Sequence, residues 1–331
     1  MRSGIVGTGR ESELGVTVGR MSVIGVAVIV VAACAGQPAT PPPAEPYTSF
    51  APAEVKVKSD PDWMVTGFGS VWVKRPQGFV DRIDAQATTV AAEIRVHETG
   101  DAPCEGIGSS ASAIWACDTG DLVRVEPATN DTVAPIPAGK IAVQGRLVAA
   151  SGRIWVLTGD GDQLAGVDEA SGEVGDPIGL PVACNDLGAF AEVIYVVCEG
   201  ADRVLRVDLT TRSVTAQAEI NAPNWVSAAG SGVWVTAGDD LLHVDPVSLK
   251  TIDTVPGLGT GQFGSIWANA SGVWIRKFDP FLTYVDASGA IHRTISAPFK
   301  TGGDVVGDGQ HLWVSAIDDQ LVIRLDVPAG T

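Results

Sequence analysis

The side chains best suited to chemistry in this chain are acids in short segments rich in Gly, Asp and Ser. Asp62, Asp186 and Asp304 are the main candidates. Converging carboxylates bind hard cations such as Ca²⁺ or Mg²⁺, and they concentrate positive charge near a surface. A second interpretation is that Asp occurs in these segments because it forms tight turns. The sequence alone leaves both interpretations open.

A repeat of about 40 residues must position these acids. Each copy has an aromatic residue in a β-branched run and an acid 11 to 13 residues later, and the copies recur every 39 to 43 residues. The aromatic residues are Trp72, Trp115, Trp155, Tyr195, Trp234, Trp274 and Trp313. The acids, interpreted as turn formers, are Asp84, Glu126, Asp168, Asp208, Asp245, Asp286 and Asp326. This period is typical of propeller blades, so we predict an all-β, seven-bladed β-propeller with four-stranded blades.

The two ends of the repeat region predict how the ring closes. Only five residues follow Asp326, so the last blade lacks its fourth strand. Residues 53–58 alternate between apolar and polar side chains, as a strand does. We predict that this segment becomes the outer strand of the last blade, which leaves no sheet edge incomplete.

Two kinds of loop lie on one face of the propeller, called the top face below. They are the loop from the fourth strand of one blade to the first strand of the next, and the loop from the second to the third strand within a blade. Loops of this kind commonly carry the functional site of a rigid scaffold. The candidate binding residues on this face are Asp62, Lys74, Asp186, Asn224, Asp240, Arg276 and Asp304. We expect an acidic mouth with a few basic residues near the last blade, where a cation, an amine or a basic partner would bind.

Four of the five cysteines form two similarly spaced pairs. The pairs are Cys104 with Cys117 and Cys184 with Cys198. We predict a disulfide in each pair, across the open end of a hairpin, as in proteins of oxidising compartments. The alternative is a four-cysteine metal site, which would require two separate blades to meet, and no C-x-x-C spacing supports it.

The first 52 residues predict an anchor and a tether. Residues 22–33 are apolar, follow Arg20 and end with small residues before Cys34, which is the pattern of a secretory signal. Val-Ala-Ala-Cys also resembles a lipobox, so we predict a signal peptide over 1–33 and a lipid on Cys34. The alternative is an ordinary secreted protein in which Cys34 carries no lipid. Residues 34–52, with six prolines after Cys34, predict a semi-rigid tether, and 53–331 the propeller.

Composition narrows the choice of partners. The net charge is −17, which argues against nucleic acid as a partner. We expect contact with the membrane through the lipid on Cys34, an extracytoplasmic location in the cell envelope, and a monomer. The predicted ligand of the acidic face is an envelope protein or a small molecule; no cofactor is predicted, although Ca²⁺ or Mg²⁺ would suit the carboxylates.

The phrase Val-Trp-Val shortly after a Gly, followed by an acid-terminated strand, as in 69–84 and 232–245, resembles the repeats of YVTN-type and streptogramin (virginiamycin B) lyase-like seven-bladed propellers. This resemblance implies a binding or scaffolding module, which is our main hypothesis. It also implies an alternative, a metal-dependent lyase or lactonase using Asp62, Asp186 and Asp304. The lyase repeats carry Leu-Trp-Phe-Thr-Glu, whereas this chain has Trp-Val, Trp-Ala or Trp-Ile there, so we expect no catalytic residues.

Overall fold

Short alternating strands separated by tight turns build a ring of seven antiparallel sheets. The computed structural model describes residues 41–97, 104–142, 146–299 and 301–327, apart from the side chain of Gln262. Six sheets have four strands and one has five. The predicted seven-bladed propeller with four-stranded blades is therefore confirmed.

Two strands precede the first blade, β1 (Glu45–Pro46) and β2 (Ala53–Lys56). Blade 1 contains β3 (Met64–Gly67), β4 (Ser70–Arg75), β5 (Phe79–Asp84) and β6 (Thr89–Arg95). Blade 2 contains β7 (Ile107–Ser109), β8 (Ile114–Asp118), β9 (Asp121–Val125) and β10 (Ile136–Pro137). Blade 3 contains β11 (Val148–Ala150), β12 (Arg153–Thr158), β13 (Gln163–Asp168) and β14 (Ile178–Gly179). In each blade the first strand is the innermost.

Blade 4 contains β15 (Asp186–Phe190), β16 (Val193–Cys198), β17 (Arg203–Asp208) and β18 (Ser213–Glu219). Blade 5 contains β19 (Pro223–Ala229), β20 (Gly232–Ala237), β21 (Asp240–Val244) and β22 (Thr251–Val255). Blade 6 contains β23 (Ser265–Ala268), β24 (Gly272–Arg276), β25 (Leu282–Asp286) and β26 (Ile291–Ser296). Blade 7 contains β27 (Val305–Gly307), β28 (Leu312–Ala316) and β29 (Leu321–Leu325).

The N-terminal strand β2 closes the ring. It pairs antiparallel with β29, with Val55 opposite Val322, and becomes the outer strand of blade 7. The prediction that the segment starting at Ala53 completes the last blade is confirmed. Backbone hydrogen bonds thus join β2 to the last blade, and β29 is not left as an unpaired edge strand.

The segment before β2 packs against the propeller, which the sequence does not predict. Strand β1 pairs parallel with β26 and adds a fifth strand to blade 6. The Tyr47 ring meets the Phe299 ring edge-on at 5.4 Å, and the Asp326 N–H donates to the Phe50 carbonyl oxygen (2.8 Å). Residues 45–50, which fall within the segment 34–52 predicted as a tether, therefore pack against blades 6 and 7. The predicted signal peptide and Cys34 lie outside the described residues.

The aromatic residues of the repeat are buried between blades. The six tryptophans are at most 2% exposed and Tyr195 is 3% exposed. The Trp72 indole N–H donates to the Gly67 carbonyl oxygen (3.0 Å), and Trp155 donates in the same way to Ala150 (3.1 Å). Burying about 200 Å² per indole stabilises the fold by about 5 kcal/mol at each site. An isolated blade would not gain this stabilisation, because its indole is buried only by packing against the neighbouring blade.

Most of the repeat acids form turns, as predicted. The Asp84 carboxylate accepts from the Ala87 N–H (2.7 Å), and Asp245 accepts from the Ser248 N–H (2.7 Å). The Asp168 and Asp208 carboxylates make equivalent bonds, and Asp286 accepts from the Ser288 and Ala290 N–H groups. These residues lie at the ends of the third strands, on the face opposite the top loops, so they are not part of the candidate site.

Both predicted disulfides are confirmed. The Cα atoms of Cys104 and Cys117 are 5.8 Å apart, and those of Cys184 and Cys198 are 3.8 Å apart. Each disulfide bond connects the residues just before an inner strand to the top end of the second strand of the same blade.

Within the described ranges, none of the helices has the length and apolar character needed to cross a bilayer.

Candidate functional site

A cavity of about 230 Å³ opens at the top end of the central channel, and we call it the upper cavity. Its lining residues come from loops that enter the inner strands of blades 1, 2, 5, 6 and 7, and from the loop after β28. They are Asp62, Trp63, Glu105, Trp225, Phe263, Gly264, Ser265, Gly303, Asp304 and Ile317. The cavity thus combines three carboxyl groups with three aromatic side chains.

Asp62 is held at the mouth of the upper cavity by its own backbone. Its N–H donates to the Lys74 carbonyl oxygen (3.2 Å), and the Lys74 N–H donates to the Trp63 carbonyl oxygen (2.8 Å). Burial, reinforced by the negative charges of Glu105 and Asp304, raises the pKa of Asp62 to about 8. Asp62 is therefore largely protonated at neutral pH.

The same buried surroundings shift the pKa values of two further groups, Glu105 and Lys74. Burial raises the pKa of Glu105, while a hydrogen bond with Trp63 opposes the rise. Lys74 is 1% exposed, and burial lowers its pKa to about 8 in spite of nearby Asp118, Glu105 and Asp62. Its ammonium nitrogen has no hydrogen-bond partner among the described residues. This clustering of shifted groups in a cleft is typical of functional sites.

Arg146 crosses the channel below the upper cavity. Its guanidinium carbon lies 4.8 Å from the centre of the Trp63 ring and 5.9 Å from that of Trp225. Its nitrogens lie 3.8 Å from a carboxylate oxygen of Asp186 and 3.8 Å from one of Asp304. We call Trp63, Arg146, Asp186, Trp225 and Asp304 the channel cluster. The single positive charge of Arg146 thus lies between two buried carboxyl groups, and two indoles flank its guanidinium group.

Asp186 and Asp304 also link neighbouring blades. Asp186 accepts from the Val226 N–H of the next blade (2.9 Å), and Asp304 accepts from the Met64 N–H of blade 1 (3.0 Å). Asp186 is 0% exposed and Asp304 is 4% exposed. Burial raises the pKa of Asp186 to about 6, although Arg146 opposes the rise. These two acids therefore fix the inner strands against each other.

A second cavity, the lower cavity, has a volume of about 290 Å³ and lies on the opposite side of the channel cluster. Trp63 and Asp304 line both cavities. Its other walls are mostly small and aliphatic side chains of the inner strands, with Trp267 on one side. The channel cluster therefore divides the central channel into an upper part with three carboxyl groups and a lower part lined mainly by small and aliphatic side chains.

The structure brings only some of the predicted site residues together. Asp62 and Asp304 line the upper cavity, Lys74 lies buried behind it, and Asp186 lies in the channel cluster. Asn224 is 8% exposed beside Trp225, at the start of blade 5. Asp240 is separate, because it accepts from the Gly257 N–H (3.2 Å) on the outer rim.

The basic side chains of Lys74 and Arg276, which were expected on the top face, are buried. Arg276 is 0% exposed; it stacks on Phe281 at 4.3 Å and donates to the Thr301 carbonyl oxygen (2.9 Å). Lys74 is buried as well. Both cations face the blade interior because they lie in the second strands β4 and β24, whose side chains pack between neighbouring blades. Arg276 therefore braces blades 6 and 7 and is not exposed to a ligand.

The predicted metal ligands do not converge as a set of three. Asp186 and Asp304 are each engaged by a backbone N–H and by Arg146, and Asp62 lies above them. Across residues 41–97, 104–142, 146–299 and 301–327, no group of three or more His, Cys, Asp or Glu side chains is placed to hold a metal ion.

Several residues of this site were not among the sequence candidates, because neither a motif nor the repeat phrase includes them. They are Trp63, Glu105, Arg146, Trp225 and Phe263. A signal does exist for Arg146: each member of the channel cluster stands nine positions before the repeat aromatic of its own blade. Gly106 and Ser265 occupy that position in the other two blades. Aligning the repeats on this position would have listed the channel residues directly.

Comparison with known proteins supports the fold. The sequence matches no protein-family model and no curated protein. The structure is similar to the β-propeller domain of Cps50 (Swd1) from Myceliophteria thermophila, with 12% identity and a TM-score of 0.66 over 83% of this chain and 100% of that chain. It is also similar to BamB from Moraxella catarrhalis (10% identity, TM-score 0.58, 83% and 98% of the two chains). Hydrazine synthase from Kuenenia stuttgartiensis gives 10% identity and a TM-score of 0.67 over 81% and 96%. At these identities the similarity establishes a β-propeller and leaves function to the site itself.

Proposed function

We propose that this protein is a lipid-anchored, extracytoplasmic binding module whose upper cavity takes the cationic group of a ligand. The observation that carries this proposal is the lining of the cavity, where Asp62, Glu105 and Asp304 stand beside Trp63, Trp225 and Phe263. Carboxylates neutralise a positive charge, and aromatic faces attract an organic ammonium through the ring quadrupole. An amine or a basic side chain therefore fits both halves of the lining.

The raised pKa of Asp62 gives this binding a specific signature. At pH 7 the Asp62 carboxyl is mostly protonated, since its pKa is about 8. An ammonium group that enters the cavity favours the ionised carboxylate. Binding should therefore release a proton from the protein near neutral pH, and affinity should increase as the pH approaches 8.

The proposed location comes from the sequence and is consistent with the disulfides. Val31, Ala32 and Ala33 before Cys34 suit cleavage and lipidation, and two disulfides suit an oxidising compartment. We propose that the lipid on Cys34 holds a monomeric propeller at the membrane surface, and that the ligand is a small amine or an envelope protein. With a net charge of −17, attachment through the lipid is more favourable than electrostatic binding to anionic headgroups.

The test is a calorimetric titration of the purified protein with cadaverine, a diamine, in buffers of different ionisation enthalpy. We expect saturable binding with proton release, and at least a tenfold loss of affinity in Asp62→Asn and Glu105→Gln. Asp160→Asn is the matched control, because Asp160 is an exposed top-face acid that pairs with Lys140 and does not line the cavity.

Two results would contradict the proposal. Cadaverine affinity equal in Asp62→Asn and Asp160→Asn would show that the cavity carboxyl groups are not the site. Saturable binding of Ca²⁺ or Mg²⁺ that depends on Asp62, with no amine binding, would instead favour the metal-dependent lyase or lactonase alternative.

A further inference from the structure

Two phenylalanines are exposed side by side at the rim of the upper cavity. Phe263 is 64% exposed and Phe278 is 44% exposed, and their ring centres lie 6.0 Å apart. Phe263 also lines the cavity itself. We call these two side chains the rim aromatic pair. Contiguous exposed apolar side chains rimmed by polar residues are a feature of interaction surfaces, in which aromatic side chains are enriched.

The backbone beneath Phe263 is anchored at both ends of its short turn, Gly261–Phe263. The Trp225 indole N–H donates to the Gly261 carbonyl oxygen (2.9 Å), and the Gly303 N–H donates to the Phe263 carbonyl oxygen (3.2 Å). A fixed backbone lowers the entropy lost when a partner packs against the ring. The fold therefore holds a large apolar side chain in water at a set position.

Acids surround the rim aromatic pair. Asp239, Asp279, Asp318 and Asp319 are exposed in the top loops of blades 5, 6 and 7. Lys277 precedes Phe278 in the chain, and its ammonium group donates to the Gly257 carbonyl oxygen (2.6 Å). The surface is thus apolar at its centre and negative around it, which complements a positively charged chain and repels anionic lipid headgroups.

We infer that the rim aromatic pair and the upper cavity together form a docking surface for a basic segment of a partner protein. An apolar side chain of that segment packs on Phe263 and Phe278, and a neighbouring Lys or Arg side chain enters the cavity. Side chains two residues apart in an extended segment point the same way and are about 7 Å apart. Phe263 belongs to the rim aromatic pair and also lines the upper cavity. One short segment can therefore contact the aromatic pair and enter the cavity at the same time. This inference rests on the proposed function, because it uses the same carboxyl groups.

The experiment compares three labelled hexapeptides by fluorescence anisotropy with the purified protein: Lys-Ser-Leu-Ser-Lys-Ser (the Lys–Leu peptide), Lys-Ser-Ser-Ser-Lys-Ser (the Lys–Ser peptide) and Glu-Ser-Leu-Ser-Glu-Ser (the Glu–Leu peptide), in which the charged and apolar side chains are two residues apart and share one face. We expect the Lys–Leu peptide to bind at least tenfold more tightly than the Lys–Ser peptide, and the Glu–Leu peptide not to bind. Phe263→Ser and Phe278→Ser should each remove most of the preference for Leu. The matched control is Phe190→Ser, because Phe190 is 49% exposed at the end of β15 on the opposite face.

Cadaverine titration of the same variants separates the two proposals. If cadaverine binds and the Phe278→Ser and Phe190→Ser variants bind the Lys–Leu peptide equally well, the docking inference is overturned and the cation site stands. If the unsubstituted protein does not bind cadaverine, the proposed function fails, and the docking inference fails with it. Tight Lys–Leu binding that is lost in both rim variants and in Asp62→Asn supports the inference.

Discussion

Replacing Arg146 by Met should destabilise the protein strongly, and more so at high pH. The change removes the positive charge that lies 3.8 Å from both Asp186 and Asp304, while Met retains much of the apolar volume between the indoles. Removing one partner of a buried ion pair typically costs about 3–5 kcal/mol, because the remaining charge is left uncompensated. Each carboxylate retains a backbone N–H donor, so we expect the low end, about 3 kcal/mol at pH 8.

The pH dependence follows from Asp186. Its pKa of about 6 in the folded protein lies above the ordinary value, so between about pH 4 and 6 the folded state holds a proton that the unfolded state has released. Stability therefore falls as pH rises through this window. Without Arg146 the pKa rises further, and the window extends upward. The cost of Arg146→Met should thus shrink to about half at pH 5, where Asp186 takes up a proton and no longer needs a counter-charge.

The assay is urea unfolding at pH 5 and pH 8 with disulfides intact, followed by tryptophan fluorescence. Asp186→Asn in the Arg146→Met background should recover about 1–2 kcal/mol at pH 8, since Asn can still accept from the Val226 N–H. Arg203→Met is the control, because Arg203 bonds to exposed Gln217 far from the channel. A cost below about 1 kcal/mol that does not change with pH would refute the view that Arg146 neutralises the channel carboxylates.

Two further predictions concern stability. Because the pKa of Asp62 is raised to about 8, its ionisation opposes folding as pH increases, and between pH 5 and 8 it should remove about 4 kcal/mol of the free energy of unfolding. Asp62→Asn should flatten that part of the curve in urea titrations; parallel curves for the two proteins would contradict the assignment. Replacing both Cys184 and Cys198 by Ser should cost about 3 kcal/mol, since their sequence separation is 14. An unchanged urea midpoint would show that the hairpin needs no covalent tie.

The architecture was predictable because its signals are local and repeated. The β-branched run around each repeat aromatic forms the second strand of its blade, as β28 (Leu312–Ala316) does around Trp313, and β2 starts at Ala53 as the closure argument requires. Strand β1 was not predictable in the same way. It has two residues, and its position depends on the contact of Tyr47 with Phe299, about 250 residues later in the chain. Proline content alone suggested a tether there, because composition does not register such a distant contact.

Burial decided which candidate residues could form a site. The sequence places Arg276 and Lys74 at the top end of second strands, and it does not reveal whether their side chains end in solvent or between blades. The structure shows both buried, Arg276 with carbonyl acceptors and Lys74 beside acids of blade 2. A charged residue in a propeller loop is therefore weak evidence for an exposed ligand site, since the interfaces between blades also need polar links.

The residues that depart from the repeat carry the site. Where each blade contributes one side chain to the channel, the seven equivalent positions hold two Trp, two Asp, one Arg, one Ser and one Gly. The repeat position nine residues later keeps one chemical type in every blade, as the six buried Trp and one Tyr show. Packing between blades explains the uniform positions, because every blade makes the same contact. It does not explain a mixed ring in which an arginine lies between two acids and two indoles. That variation breaks the local regularity of the repeat at the place where the two cavities meet, which is where a functional constraint is expected.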